Sequence, residues 1–326
     1  MSEWIRKNAN KINMRGNPMK KTQIRNSLLL LLTATIWGVA FVAQSVGMDY
    51  VGGFTFNFTR NIIGGLVLIP CIVLLRKWKM QSGEEMADFA VQKKDRPISW
   101  LPVSRNELIG GICCGLALCA ASNFQQFGIA HTTVGKAGFI TALYVVIVPI
   151  LGLFFKKRVS IVVWFSVALS VVGLYLLCMT DSSFKLAFGD TLVLICALLF
   201  SIHIMVIDHF SPKGDGVVIS CIQFFVAGLV SGILMLIFEN PTIAAILAAW
   251  MPILYAGVLS SGVAYTLQII GQKDMNPTIA SLIMCLESVV SALAGWLLLN
   301  QALSARELAG CALMFAAIVL AQIWGN

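Results

Sequence analysis

The chain has 326 residues, 58% of them hydrophobic and only 12% charged, with a formal net charge of +8 and a mean hydropathy of +0.86. Soluble domains average about 25% charged and about 45–50% apolar residues, so these values exclude an ordinary water-soluble protein and place the chain in a bilayer. The positive charge does not mark a nucleic-acid binder, because the basic residues fall between apolar runs and build no continuous stripe.

Residues 1–26 form a basic segment. The first apolar run follows it, but it is long, contains Trp37 and Gln44, and leads to no small-residue cleavage site, so it reads as a retained span and not a signal peptide. A spanning helix needs about 20 apolar residues. Ten stretches qualify: 27–47, 54–75, 107–130, 136–155, 160–179, 188–207, 217–238, 249–271, 279–299 and 306–324. The one long connection, "RKWKMQSGEEMADFAVQKKDRPISWLPVSRN" at 76–106, is charged and is expected to be a solvated cytoplasmic loop. The other loops are short, which makes consecutive helices antiparallel neighbours. With the N-terminus in the cytoplasm, 19 of the 23 basic residues fall on the cytoplasmic side. Lys136, Lys185 and Arg306 fall outside, and Arg60 lies within a span. That bias predicts a multi-pass protein of the plasma or inner membrane with both termini inside.

Polar groups at membrane depth are costly, so each is a candidate site residue. In the first span Thr33, Trp37 and Gln44 share a helical face. Arg60, in the outer third of the second span, is read as snorkelling to the interface or pairing structurally. The functional alternative is a bidentate grip on a substrate carboxylate. The third span carries the one-face pair Asn123 and Gln126, the fourth Tyr144, the sixth His203, the seventh Gln223, and the eighth Tyr265 and Gln268. His203 is read first as a hydrogen-bonded packing residue, with a proton role as the alternative. For each of the others, bonding between helices competes with substrate contact. Gly111-x-x-x-Gly115 and Gly228-x-x-x-Gly232 predict close helix approaches. In the ninth span, "SLIMCLESVVSALAGWLLL", Glu287 lies roughly 12–13 Å from the cytoplasmic end, near mid-bilayer. It must face protein or a wet cavity. There it could carry a proton, anchor a cationic group, or tie two helices together. If Arg60 and Glu287 both line a cavity, the site suits a zwitterion.

Ten spans divide into halves of five, 27–180 and 188–325, and an odd number per half inverts the second against the first. Sliding "GFITALYVVIVPILGLFFKKRVS" (138–160) onto "LIMCLESVVSALAGWLLLNQALS" (282–304) pairs Val145 with Val289, Val146 with Val290, Leu153 with Leu297 and Ser160 with Ser304. These stretches, with "GDTLVLICALLFSIHIMVID" and the run from Tyr255 to Gln322, resemble the EamA branch of the drug/metabolite transporter superfamily. The resemblance covers about 27–325. It implies an all-α integral membrane fold of ten transmembrane helices, two inverted five-helix repeats, a central cavity and efflux by alternating access. The chain departs from the family where Glu-Pro is common and it has Glu287-Ser288, which predicts a straighter ninth helix. It also departs at Lys157 and Gln301, where the family often carries acids.

The nine cysteines all sit in apolar runs without metal-ligand or disulfide spacing and read as small packing residues. No phosphate loop, zinc-protease or nucleophile-elbow motif occurs, so neither ATP drive nor enzyme chemistry is expected. No cofactor or metal is expected. The expected function is secondary transport of a small organic metabolite, amino acid-like or drug-like. The partners are that substrate, the lipid bilayer and, as a candidate coupling ion, protons. A non-transporting sensor or scaffold working through 76–106, and an importer of the same fold, are the alternatives.

Overall fold

The computed structural model describes residues 21–82, 103–132, 134–157, 159–178, 187–299 and 304–324, and among them regular structure is helical. The predicted N-terminal segment up to residue 20, residues 83–102 of the long loop, Arg158, Lys185 and Gln301 lie outside the described residues.

The helices are α1 (Lys21–Gly47), α2 (Gly53–Ser82), α3 (Arg105–Ala130), α4 (Val134–Ala142), α5 (Tyr144–Phe154), α6 (Ile161–Cys178) and α7 (Phe188–Phe210), then α8 (Gly216–Phe238), α9 (Ile243–Ala248) and α10 (Trp250–Leu254). After α10 the chain winds as a π-helix over Tyr255–Tyr265, then continues as α11 (Thr266–Gln272), α12 (Pro277–Met284), α13 (Glu287–Leu299) and α14 (Ala305–Trp324). Nine helical stretches among the described residues are long and apolar enough to cross a membrane. α6, at the predicted fifth span, carries a shorter apolar stretch, Ile161–Leu176.

The packing is inverted relative to a soluble protein. Leu66, Ile69 and Val73 of α2 and Leu229, Ile233 and Leu236 of α8 are exposed, while Asn57, Asn61, Gln126, His203, Gln223 and Glu287 are buried. Lipid solvates the apolar surface, and the polar groups turn inward to find partners.

Three departures from the predicted spans bear on the site. α2 runs past its expected end at residue 75 to Ser82, because "RKWKMQS" holds neither Gly nor Pro and nothing stops the helix before Gly83. The fourth span is broken at Leu143, between α4 and α5. The ninth is broken at Cys285–Leu286, between α12 and α13, so the expectation of a straighter ninth helix fails. A proline is not needed to break it. Ser281 Oγ bonds the Thr278 carbonyl (2.8 Å), and Cys285 Sγ bonds that of Leu282 (3.0 Å). The amides of Leu286 and Ser288 bond three residues back, to Ile283 and Cys285 (both 3.2 Å). The Leu143 and Val146 amides close the same tight turns onto Ile140 and Leu143. Such bonds wind the chain too tightly to continue the α-helix in register.

Both glycine pairs sit at crossings. A Cβ on Gly111 or Gly115 would come within 2.5–2.7 Å of Ile222 or Val226 in α8. One on Gly228 or Gly232 would come within 2.7–2.8 Å of Ile62 or Phe58 in α2. The remaining large contacts are α3 on α7, α6 on α14, α1 on α13, on the π-helix and on α11, α2 on the π-helix, and α4 and α5 on α7.

Candidate functional site

α1, α2, α3, α4, α5, α7, the π-helix, α11, α12 and α13 converge on a narrow cavity of about 30 Å³. Among the described residues, its charged lining consists of Arg60 and Glu287.

Glu287 opens α13 directly after the break, and Tyr144 opens α5 directly after the other. The two broken spans meet there, with the Tyr144 hydroxyl donating to Glu287 Oε1 at 3.0 Å. Glu287 is 4% exposed. α1 can come this close because it carries Gly38, where a Cβ would lie 2.7 Å from the Glu287 carbonyl oxygen.

Arg60 is 1% exposed and lines the cavity, so it does not snorkel. Its α2 face is turned to the bundle: a Cβ at Gly257 of the π-helix would lie 3.1 Å from the Arg60 carbonyl oxygen. The guanidinium donates through Nη1 to Gln44 Oε1 at 3.1 Å and lies 6.0 Å from the Phe56 ring centroid. Nε has no hydrogen-bond partner among the described residues. The one ion pair among them is Lys157 Nζ–Asp208 Oδ2 at 2.8 Å, so neither Arg60 nor Glu287 is neutralised by a direct contact. That pair also shows an ionic tie at the end of the fourth span, made by a base where the family often has an acid.

Trp37, Gln44, Tyr144, Tyr265 and Gln268 join Arg60 and Glu287 in the lining. Trp37 Nε1 donates to the Ser260 carbonyl at 3.4 Å, and its ring centroid lies 4.6 Å from that of Tyr265 with the planes tilted by 56°. The π-helix makes this possible: its wide turns carry Ser260 and Tyr265 to the cavity wall. The other four candidates lie behind the wall. Asn123 bonds Asn57 (2.9 Å), the Cys119 carbonyl (2.8 Å) and Ser231 (3.1 Å). Gln126 Nε2 donates to the Gln44 carbonyl at 3.1 Å. His203 Nε2 and Gln223 Oε1 share a hydrogen bond at 3.1 Å, with the imidazole 6.0 Å from the Tyr265 ring.

Gln125, Thr141, Phe200 and Ser260 line the cavity without having been singled out in the sequence. Gln125 was next to a residue that was, and one position along a helix turns a side chain by about 100°. Choosing Gln125 over Gln126 needed the position of α1.

A model of the EamA-like transporter family matches residues 25–179 and again 187–322. Similar chains include an uncharacterized transporter of Archaeoglobus fulgidus, 26% identical over 318 residues, covering 96% of this chain and 90% of that one. An uncharacterized transporter of Synechocystis is 23% identical, covering 92% and 90%. A crystal structure superposes with a TM-score of 0.70 at 17% identity, over 91% of this chain and 96% of the other, a likeness of fold.

Proposed function

This chain belongs to the EamA-like transporter family, and we propose that it moves a small organic molecule across the cytoplasmic membrane by alternating access through the cavity around Arg60 and Glu287. It is a multi-pass membrane transporter; the proposal concerns cargo, route and direction. One observation carries it: two ionisable side chains, both almost wholly buried at membrane depth, line one cavity without touching each other. Buried charge is retained at such a place where something other than stability uses it.

Two inverted halves, 27–180 and 188–325, would supply the motion. The two stretches matched by the family model fall on these halves, and the breaks at Leu143 and at Cys285–Leu286 fall within two positions of each other when 138–160 is laid on 282–304. Packing also supports the exchange: α3 on α7 has its image in α1 on the π-helix and α11, and α4 and α5 on α7 in α12 and α13 on α1. Rocking of one set against the other opens the cavity to each side in turn. The expected direction is export, which rests on the family resemblance alone.

The test is untargeted profiling of the medium of cells expressing the wild type, Glu287→Gln or an empty vector at matched protein levels. The expected outcome is a compound released by the wild type and not by the variant. A wild type that matches the empty vector across metabolite classes removes export from this account.

A further inference from the structure

We propose that the transported molecule carries an oxyanion and that Arg60 is the group that binds it; this rests on the transport reading above and specifies the chemistry of its site. A guanidinium taken out of water is costly unless it is paired and hydrogen-bonded. Arg60 is 1% exposed. One neutral amide oxygen, Gln44 Oε1, and the face of Phe56 stand against it, and its Nε has no partner among the described residues. No carboxylate of the described residues pairs with it. The other charged group of the cavity, Glu287, is turned to Tyr144.

What the guanidinium lacks is an acceptor that carries charge, and it faces a cavity. Its donors form a planar fork that matches the two oxygens of a carboxylate or of a phosphate group. Gln44 holds Nη1, which fixes the plane of the fork and leaves Nε for the incoming oxygen. The Gln44 backbone carbonyl takes the Gln126 side-chain amide, which ties α1 to α3 at this level. Glu287, facing the same space, would take an amine on the same molecule. Trp37, Phe200 and Tyr265 supply an apolar wall for its carbon skeleton.

The experiment measures the melting temperature of the full chain in lipid nanodiscs against compounds on one carbon skeleton: butanoate, 2-aminobutanoate, butanamide and butylamine, with inorganic phosphate as the second oxyanion. Butanoate or 2-aminobutanoate, or phosphate, is expected to raise it, and butanamide and butylamine to leave it unchanged. A response to phosphate alone assigns the phosphate class, and one to the carboxylates alone the carboxylate class. Arg60→Gln is expected to weaken the oxyanion response at least about tenfold, as the loss of a charge-assisted pair requires. If Arg60→Gln does not fold, Gln44→Ala keeps the charge and loosens the fork, with a smaller weakening expected. Equal stabilisation by butanamide, an unchanged response in Arg60→Gln, or no response to any oxyanion overturns the inference. Vesicle flux separates the two readings. Oxyanion binding without flux removes transport and leaves the Arg60 site, whereas flux restricted to neutral or cationic compounds does the reverse.

Discussion

Glu287 and Tyr144 join two half-helices at their first residues through one hydrogen bond. Each begins a half-helix at a break, and the 3.0 Å bond between them is the meeting point of the fourth and ninth spans. Tyr144→Phe removes one hydroxyl and keeps the ring. It is expected to cost about 1 kcal/mol of stability, read as a lowered melting temperature in detergent. Its larger expected effect is on transport, because it frees the Glu287 side chain in the cavity. A Tyr144→Phe chain that transports like the wild type would show that the bond merely packs the spans together. The burial of Glu287 was legible in the sequence, since a lone acid in an apolar run needs an interior. The fate of Arg60 was not. From the sequence a guanidinium seven residues into a span can reach the interface; only the Gly257 crossing, which turns that face of α2 inward, rules this out.

At the scale of helices, close approach and end-pinning hold the frame around the cavity. Gly115 sits where a Cβ would meet Val226 at 2.7 Å and the Gln223 carbonyl at 2.8 Å. Gly115→Leu therefore overpacks the α3–α8 crossing and is expected to destabilise by about 1–3 kcal/mol, measured by denaturation in detergent. Gly138 is the control: the nearest atom to its added Cβ would be Ser288 Oγ at 3.9 Å, so Gly138→Ala is expected to have little effect on stability. At the Gly53 end of the α2–α8 crossing, Glu239 accepts from the amides of Phe54 and Thr55 and from the Thr55 hydroxyl, at 2.9, 2.8 and 2.6 Å. This caps the first turn of α2 with a carboxylate from another span. Glu239→Ala leaves these donors without their acceptor and is expected to cost about 1–2 kcal/mol by the same measurement. Span positions and glycine pairs were readable because they depend on length and spacing. The breaks at Leu143 and Cys285–Leu286 were not, because neither "TALYV" nor "MCLES" contains a proline or glycine to mark them. They arise from bonds to carbonyls three residues back, which the helices packed around them stabilise.

Over the whole molecule, lipid-facing surface is apolar and the interior holds the polar groups, so the fold needs its membrane to be stable. The two stretches matched by the family model divide the chain into halves, 25–179 and 187–322. The cavity in this structure is narrow, and of its two charged residues Arg60 bonds Gln44 and Glu287 bonds Tyr144. Ten spans could be counted in the sequence, but which of the eleven candidate residues face one another depends on how the spans pack. Asn123, Gln126, His203 and Gln223 bond within the wall, whereas seven others reach the cavity. The most direct measurement is flux of the exported compound in proteoliposomes of the wild type, Arg60→Gln and Glu287→Gln, each shown to be folded. The account predicts flux in the wild type and vesicle-level leakage in both variants. Flux undiminished in both variants would contradict it and leave the two buried charges as structural groups.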